Sequence, residues 1–195
     1  MKQETIHIAI FASGAGSNAQ KIIDYFKDSK RIKISLIVCN NPDAGILKIA
    51  EKESVPVLLI EKHLFRDTGY VEELKNNNIQ FIVLAGFLWK IPPVLIEAFK
   101  NKIVNIHPAL LPAYGGKGMY GTKVHQAVIE SIDIESGATV HLVDPIYDHG
   151  RILSQARVPR LPTDDAQSLA ARVLVEEHKL YSAVLQKIKE GKIIL

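Results

Sequence analysis

The stretch Val104-Asn-Ile-His-Pro-Ala-Leu-Leu-Pro112 carries the most informative pattern in this chain. It begins as an apolar run and is halted by Pro108, which predicts a short buried strand ending at residues 105–107. Side chains alternate along a strand, so Asn105 and His107 are expected to face the same way. Together they offer a fixed hydrogen-bond donor and a group able to carry a proton near neutral pH. We interpret the pair as part of a ligand site; the alternative is a polar strand end that caps loop backbone.

Apolar runs alternate with helical patterns through the first half of the chain. Strands are predicted at residues 6–12, 32–39, 55–60 and 81–84, ahead of the strand at 103–107. This alternation is typical of an α/β fold with a doubly wound, Rossmann-like, mostly parallel sheet. Alternating patterns at 138–143 and 151–158 predict an antiparallel pair that extends the sheet near its C-terminal end. We expect one domain spanning residues 1–195.

The helical patterns give equally definite expectations. A helix is predicted to start at Ser17 or Asn18 and run to about residue 27, and another is predicted to open at Pro92-Pro93. Single helices are expected over residues 65–76, 124–131 and 164–189.

Composition excludes several classes of function. The net charge of +3 is too small to indicate a nucleic-acid or membrane surface, and 47% hydrophobic with 23% charged residues is ordinary for a globular protein. Cys39 is the only cysteine, so no internal disulfide can form. The N-terminal residues lack a signal-peptide pattern, and no apolar stretch approaches the ~20 residues that cross a bilayer. We expect a cytoplasmic protein that acts on small molecules.

A glycine-rich turn, Gly14-Ala-Gly-Ser-Asn-Ala19, follows the first strand and opens a helix. Glycines let the backbone approach a phosphate, and a helix N-terminus offers free N–H groups. A dinucleotide site also needs an acid at the end of the second strand, where this chain has Cys39-Asn40-Asn41. The turn therefore predicts phosphate binding rather than NAD; a tight turn that needs glycine only for its backbone angles is the alternative.

The segment Asp-Pro-Ile-Tyr-Asp-His-Gly150 lies between the last two predicted strands. If Asp148 faces Asn105 and His107, its carboxylate can hold the imidazole and favour its charged form. A turn aspartate that bonds its own backbone is the alternative. The remaining histidines, His141 among them, show no metal-binding spacing, so no metal site is expected.

Several of these motifs together resemble the folate-dependent formyltransferases. Residues 105–112 are similar to that family's N-x-H-P-S-L-L-P signature, with Ala109 in place of the usual serine. Asp148 matches the third member of the family's Asn/His/Asp set. The turn at residues 16–18, the segment 85–91 and the pair Glu177-His178 match its substrate-binding positions.

The resemblance implies the formyltransferase fold and transfer of a formyl group from 10-formyltetrahydrofolate, the cosubstrate, to the amine of glycinamide ribonucleotide. It implies that Asn105 and His107 stabilise the oxyanion, with support from Asp148, and that no metal takes part. It implies nucleotide-substrate contacts from Gly16, Ser17, Asn18 and Glu177. Folate contacts are expected from Asn105, Leu88, Trp89, Lys90 and Ile91, with Arg66 near the glutamate tail.

Two other functions remain open at this point. A dinucleotide-dependent oxidoreductase would use the glycine-rich turn, and a catalytically silent nucleotide- or folate-binding regulator would need no Asn/His/Asp set. The assembly is expected to be a monomer or a weak homodimer. The loop at residues 114–121 is longer and richer in glycine than the family's usual turn, so family contacts from that loop are not carried over.

Overall fold

A seven-stranded sheet forms the centre of the computed structural model, which describes residues 5–195. The strand order is β3-β2-β1-β4-β5-β6-β7. The first five strands pair in parallel, whereas β5–β6 and β6–β7 are antiparallel. The predicted mostly parallel sheet with an antiparallel extension is therefore confirmed. The strands are β1 (Ile6–Ala12), β2 (Ile32–Cys39), β3 (Val57–Leu59), β4 (Phe81–Leu84), β5 (Ile103–His107), β6 (Glu135–Leu142) and β7 (Ile152–Pro159).

Helices cover both faces of this sheet, because the central strands are apolar on both sides. Alternate residues of β1 enter two separate apolar clusters: Ile10 packs with α1 and α7, and Phe11 packs with α3, α4 and α5. Burial on both faces is the usual condition of parallel strands. The helices are α1 (Ser17–Phe26), α2 (Ile46–Lys52), α3 (Lys62–Thr68), α4 (Val71–Asn76), α5 (Pro93–Ala98), α6 (Thr122–Glu130) and α7 (Ala166–Lys189).

The prediction of one helix over residues 65–76 is wrong. The backbone reverses at Gly69 and Tyr70, whose φ angles of +61° and +54° lie in the left-handed region and end α3 before α4 begins. Glycine adopts this angle without the steric cost that a Cβ adds. A Cβ at Gly69 would also lie 2.9 Å from the Cβ of Leu95, so the break lets α5 pack closely.

The bounds of β3 also differ from the sequence prediction. Strand β3 spans Val57–Leu59, rather than residues 55–60, and lies at the edge of the sheet. The long last helix is as expected and starts with a capping box. In it the Asp165 carboxylate accepts the Ser168 backbone N–H, while the Ser168 hydroxyl accepts that of Asp165.

Some sequence predictions concern residues 1–4, which lie outside the described residues: the lack of a leader peptide and the domain boundary at residue 1. Among the helices of residues 5–195, none is long and apolar enough to cross a membrane.

Candidate active site

The change from parallel to antiparallel pairing, at β5 and β6, brings the polar residues together. The register places Asn105 opposite His141 and His107 opposite Thr139. Opposed residues of an antiparallel pair have side chains on the same face, so four polar groups share one small area. The side chains of residues 103, 105 and 107 lie on one face of the sheet. Over the neighbouring strands, helices α3–α5 cover this face. Beyond β5, loops rather than helices cover this face, which leaves room for a cavity.

Asn105 is held by His141. The imidazole Nδ1 of His141 lies 2.8 Å from the Leu142 carbonyl, which can only accept, so Nδ1 carries the proton. Its Nε2 then accepts the Asn105 amide N–H at 3.1 Å. Burial lowers the pKa of His141, with the hydrogen bond to Leu142 and the charge of Asp148 opposing, and this favours the same neutral form. One N–H of the Asn105 amide is thereby fixed, and the other stays available to a ligand.

His107 is nearly as buried as His141, with 3% of its surface exposed. Its Nε2 donates to the Tyr114 carbonyl at 2.7 Å. Its Nδ1 lies 3.6 Å from Asp148 Oδ2, which is within ion-pair range but beyond a hydrogen bond. The Nδ1 side of the ring is thus the side that faces Asp148.

Asp148 reaches the site because its backbone adopts a left-handed φ of +54°. Its Oδ2 accepts the Gly116 N–H at 2.8 Å, and its Oδ1 lies 3.7 Å from His141 Nε2. The neighbouring His149 turns outward and pairs with Asp144 at 2.7 Å. The structure therefore places Asp148, and not His149, beside His107 and His141, the partner of Asn105.

Thr139 fixes the chain that follows His107. Its hydroxyl donates to the Ala109 carbonyl at 2.6 Å and accepts from Leu111 N–H at 3.0 Å and Gln155 Nε2 at 2.9 Å. A hydroxyl has one proton and two lone pairs, so this one is fully used. The peptide from His107 to Leu111 is consequently held against β6.

A cavity of about 630 Å³ opens over this cluster. One wall is the segment after β4, where Leu88, Trp89, Lys90 and Ile91 line the space. The segment is anchored by Ser13, whose hydroxyl accepts the Leu88 N–H at 2.9 Å. Such a mainly apolar wall with few polar groups is typical of a site for a flat organic ligand.

Another wall of the cavity carries Asn18 and Glu177. The Asn18 amide donates to Glu177 Oε2 at 2.6 Å, and Glu177 is 7% exposed. Burial raises the pKa of Glu177, partly opposed by this hydrogen bond. Asn18 Oδ1 is buried and has no hydrogen-bond partner within residues 5–195.

The glycine-rich turn lies beside this wall. Gly16 has a φ of +81°, and a Cβ there would lie 2.7 Å from Ile46 Cδ1, so glycine is required by both backbone angle and packing. Helix α1 starts at Ser17 without a side-chain cap, which leaves its first N–H groups available. Neither residue lines the cavity, and Arg66, which is exposed on α3, does not line it either.

Sequence reasoning missed two histidines of the site, His141 and His125. His125 is 5% exposed, lines the cavity, and has a pKa lowered by burial and by the nearby His107. In the part of the chain that the structure describes, no group of three or more His, Cys, Asp or Glu side chains is placed to hold a metal ion.

A family model described as formyl transferase matches residues 6–185. The chain belongs to the formyl transferase family. Its fold also agrees with the solved structures of similar proteins. It superposes on the glycinamide ribonucleotide transformylase 1 of Symbiobacterium toebii with a TM-score of 0.91, at 28% identity over 100% of this chain and 96% of that one.

Other formyl transferases are similar along nearly the whole chain. The chloroplastic phosphoribosylglycinamide formyltransferase of Vigna unguiculata is 45% identical over 96% of this chain, and the phosphoribosylglycinamide formyltransferase of Haemophilus influenzae is 34% identical over 96%. The match covers 89% of the Haemophilus influenzae protein. This chain spans only 62% of the Vigna unguiculata protein and 66% of a similar one from Arabidopsis thaliana.

Proposed function

We propose that this protein transfers the formyl group of 10-formyltetrahydrofolate to the amine of 5-phosphoribosylglycinamide. The observation that carries the proposal is the cluster of Asn105, His107, His141 and Asp148 at the cavity, in a chain of the formyl transferase family. The similar proteins named phosphoribosylglycinamide formyltransferase support this choice of substrate. One formyltransferase domain is proposed to carry the whole site.

The reaction needs groups that stabilise an oxyanion and move one proton. The amine nitrogen adds to the formyl carbon, and the carbonyl oxygen becomes negatively charged. The free N–H of Asn105 donates to that oxygen, and the Nδ1 side of a protonated His107 stabilises the same charge. The carbon–nitrogen bond to folate then breaks while a proton passes from the attacking amine to the leaving nitrogen. We assign Asp148 to keep His107 charged and to order the water that carries this proton.

Substrate placement follows from the two walls. We assign the phosphate to the N–H groups of Gly16 and Ser17 at the start of α1, and a hydroxyl-bearing part of the nucleotide to Asn18 and Glu177. The pterin is assigned to the wall formed by Leu88, Trp89, Lys90 and Ile91, next to Asn105. Arg66 stays a prediction for the glutamate tail, because it does not line the cavity.

The alternatives make distinct predictions. A dinucleotide-dependent oxidoreductase is disfavoured by the family, and by the end of β2, where Cys39 is followed by two asparagines rather than by an acid. A silent regulator would bind substrate without turnover.

A cytoplasmic location and a monomer or weak homodimer stay predictions; the two plant relatives are named chloroplastic, so cell fractionation would test the location.

The test is an absorbance assay with glycinamide ribonucleotide and 10-formyl-5,8-dideazafolate. Wild type is expected to transfer the formyl group, and His107→Ala and Asp148→Ala are expected to cut turnover severely while circular dichroism stays native. His63→Ala is the matched control, because His63 is an exposed histidine of α3 outside the cavity wall. Near-wild-type turnover in either site variant would refute the residue roles. A well-folded wild type that binds both substrates without transfer would favour the silent regulator.

A further inference from the structure

Tyr181 of α7 is fully buried, and its hydroxyl meets two backbone carbonyls. It lies 2.9 Å from the oxygen of Leu84 and 3.0 Å from that of Val104. A phenol has one proton, so it is shared between the two acceptors. Burial raises the pKa of this phenol well above its ordinary value, so it remains a donor throughout the physiological range.

The two carbonyls belong to the peptides that lead into the site. The Leu84 carbonyl is bonded to the nitrogen of Ala85, where β4 ends and the proposed folate wall begins. The Val104 carbonyl is bonded to the nitrogen of Asn105, the residue assigned to the oxyanion. The two strands pair as far as Leu84 and Asn105, and the hydroxyl adds a bridge between their last peptides, where the segments that would hold the two halves of the reacting pair begin.

The same helix also carries Glu177, four residues before Tyr181. Residues four apart lie on one face of a helix, one turn from each other. Glu177 is held by Asn18 at the cavity wall, while Tyr181 binds the strand ends beneath it. The anchor of Tyr181 thus contributes to the placement of Glu177 relative to the strand ends that lead to Asn105.

We infer that Tyr181 is a positioning residue for formyl transfer, which aligns the Asn105 amide with the substrate that Glu177 holds. This inference rests on the proposed function for its kinetic consequence, although the alignment itself is a property of the free protein. Its alternative is a hydrogen bond that contributes only to stability.

Tyr70 supplies a matched control. It is also a buried tyrosine, 8% exposed, and its hydroxyl accepts the Glu61 backbone N–H at 3.0 Å. It lies in the other apolar cluster, over the face that α3–α5 cover. Tyr181→Phe and Tyr70→Phe therefore each remove one buried hydroxyl bonded to backbone, and only the hydroxyl of Tyr181 bonds to the ends of β4 and β5.

The experiment measures urea unfolding, kcat and KM for both variants. We expect similar shifts in the unfolding midpoint, with kcat lowered roughly 10- to 100-fold in Tyr181→Phe alone, because small misplacements of a reacting group have effects of this size. A kcat of Tyr181→Phe within about twofold of that of Tyr70→Phe would overturn the inference.

A second readout separates this inference from the proposed function. The side-chain amide resonances of Asn105, assigned by their loss in Asn105→Ala, are expected to shift in Tyr181→Phe and to stay in place in Tyr70→Phe. Unmoved resonances would overturn the inference even if wild type is active. If wild type transfers no formyl group, the proposed function fails, and the resonances alone decide the role of Tyr181.

Discussion

Replacing His141 by leucine is expected to slow formyl transfer strongly while the chain stays folded. Leucine fills a similar volume but offers no acceptor to the Asn105 amide, which now donates to His141 Nε2 at 3.1 Å. The carboxamide is then free to rotate, and its second N–H loses its fixed direction. His141 would thus act through Asn105 rather than on the substrate.

The expected loss of rate in His141→Leu lies between two limits. Loss of the one hydrogen bond that orients Asn105 is worth about 1 kcal/mol, or roughly fivefold in rate. Complete loss of an oxyanion donor is worth about 3 kcal/mol, or roughly 150-fold. We expect His141→Leu to lower kcat between these limits. The Leu142 carbonyl also loses its donor, so unfolding in urea is expected to shift by about 1 kcal/mol.

A double-mutant cycle tests the reasoning. Because His141 is argued to work through Asn105, His141→Leu should add less than about a threefold loss in an Asn105→Ala background. The assay is formyl transfer at saturating substrates for wild type, both single variants and the double variant. Losses that multiply in the double variant would show that His141 acts independently and would refute this account.

Three further predictions concern stability and pH. Gly16→Ala should lower the free energy of unfolding by about 2–3 kcal/mol, from the left-handed φ and the contact with Ile46, whereas Gly14→Ala, which has open space around a Cβ, should be near neutral in urea melts. Glu177→Gln should raise stability at pH 7, because burial raises the pKa of Glu177 and so favours its neutral form, yet it should raise KM for glycinamide ribonucleotide; a destabilised variant would contradict this. Burial lowers the pKa of His125 and His141, so below about pH 6.5 the unfolded state binds more protons than the folded state, and stability should fall as the pH is lowered. His125→Leu should flatten this profile in melts from pH 7 to pH 5, and an unchanged slope would count against it.

The parallel part of the fold could be predicted because its strands are continuous apolar runs. Strands β1, β2 and β4 occur with the predicted bounds, since sequences such as Phe81–Leu84 are buried on both faces and leave no ambiguity. The break between α3 and α4 was missed although Gly69 marked it. Tyr70 has a positive φ that no local sequence preference indicates.

The candidate site was only partly accessible from sequence. Asn105 and His107 share a face because they are two apart in one strand, which is a local property. His141 joins them through the antiparallel register of β5 and β6, and that register depends on the fold of the long connection between them. The carbonyl of Tyr114 and the hydroxyl of Thr139 likewise contribute through contacts that distant segments create.

Trp89 provides an intrinsic fluorescent probe of the cavity. It is the only tryptophan in the chain, and it lies in the cavity wall, with its ring centre 5.9 Å from that of Phe65 and 6.3 Å from that of Phe87. All the indole emission of this protein therefore comes from one wall of the cavity. An occupant of that wall would alter the emission directly, so affinity could be followed by fluorescence, without a label and without turnover.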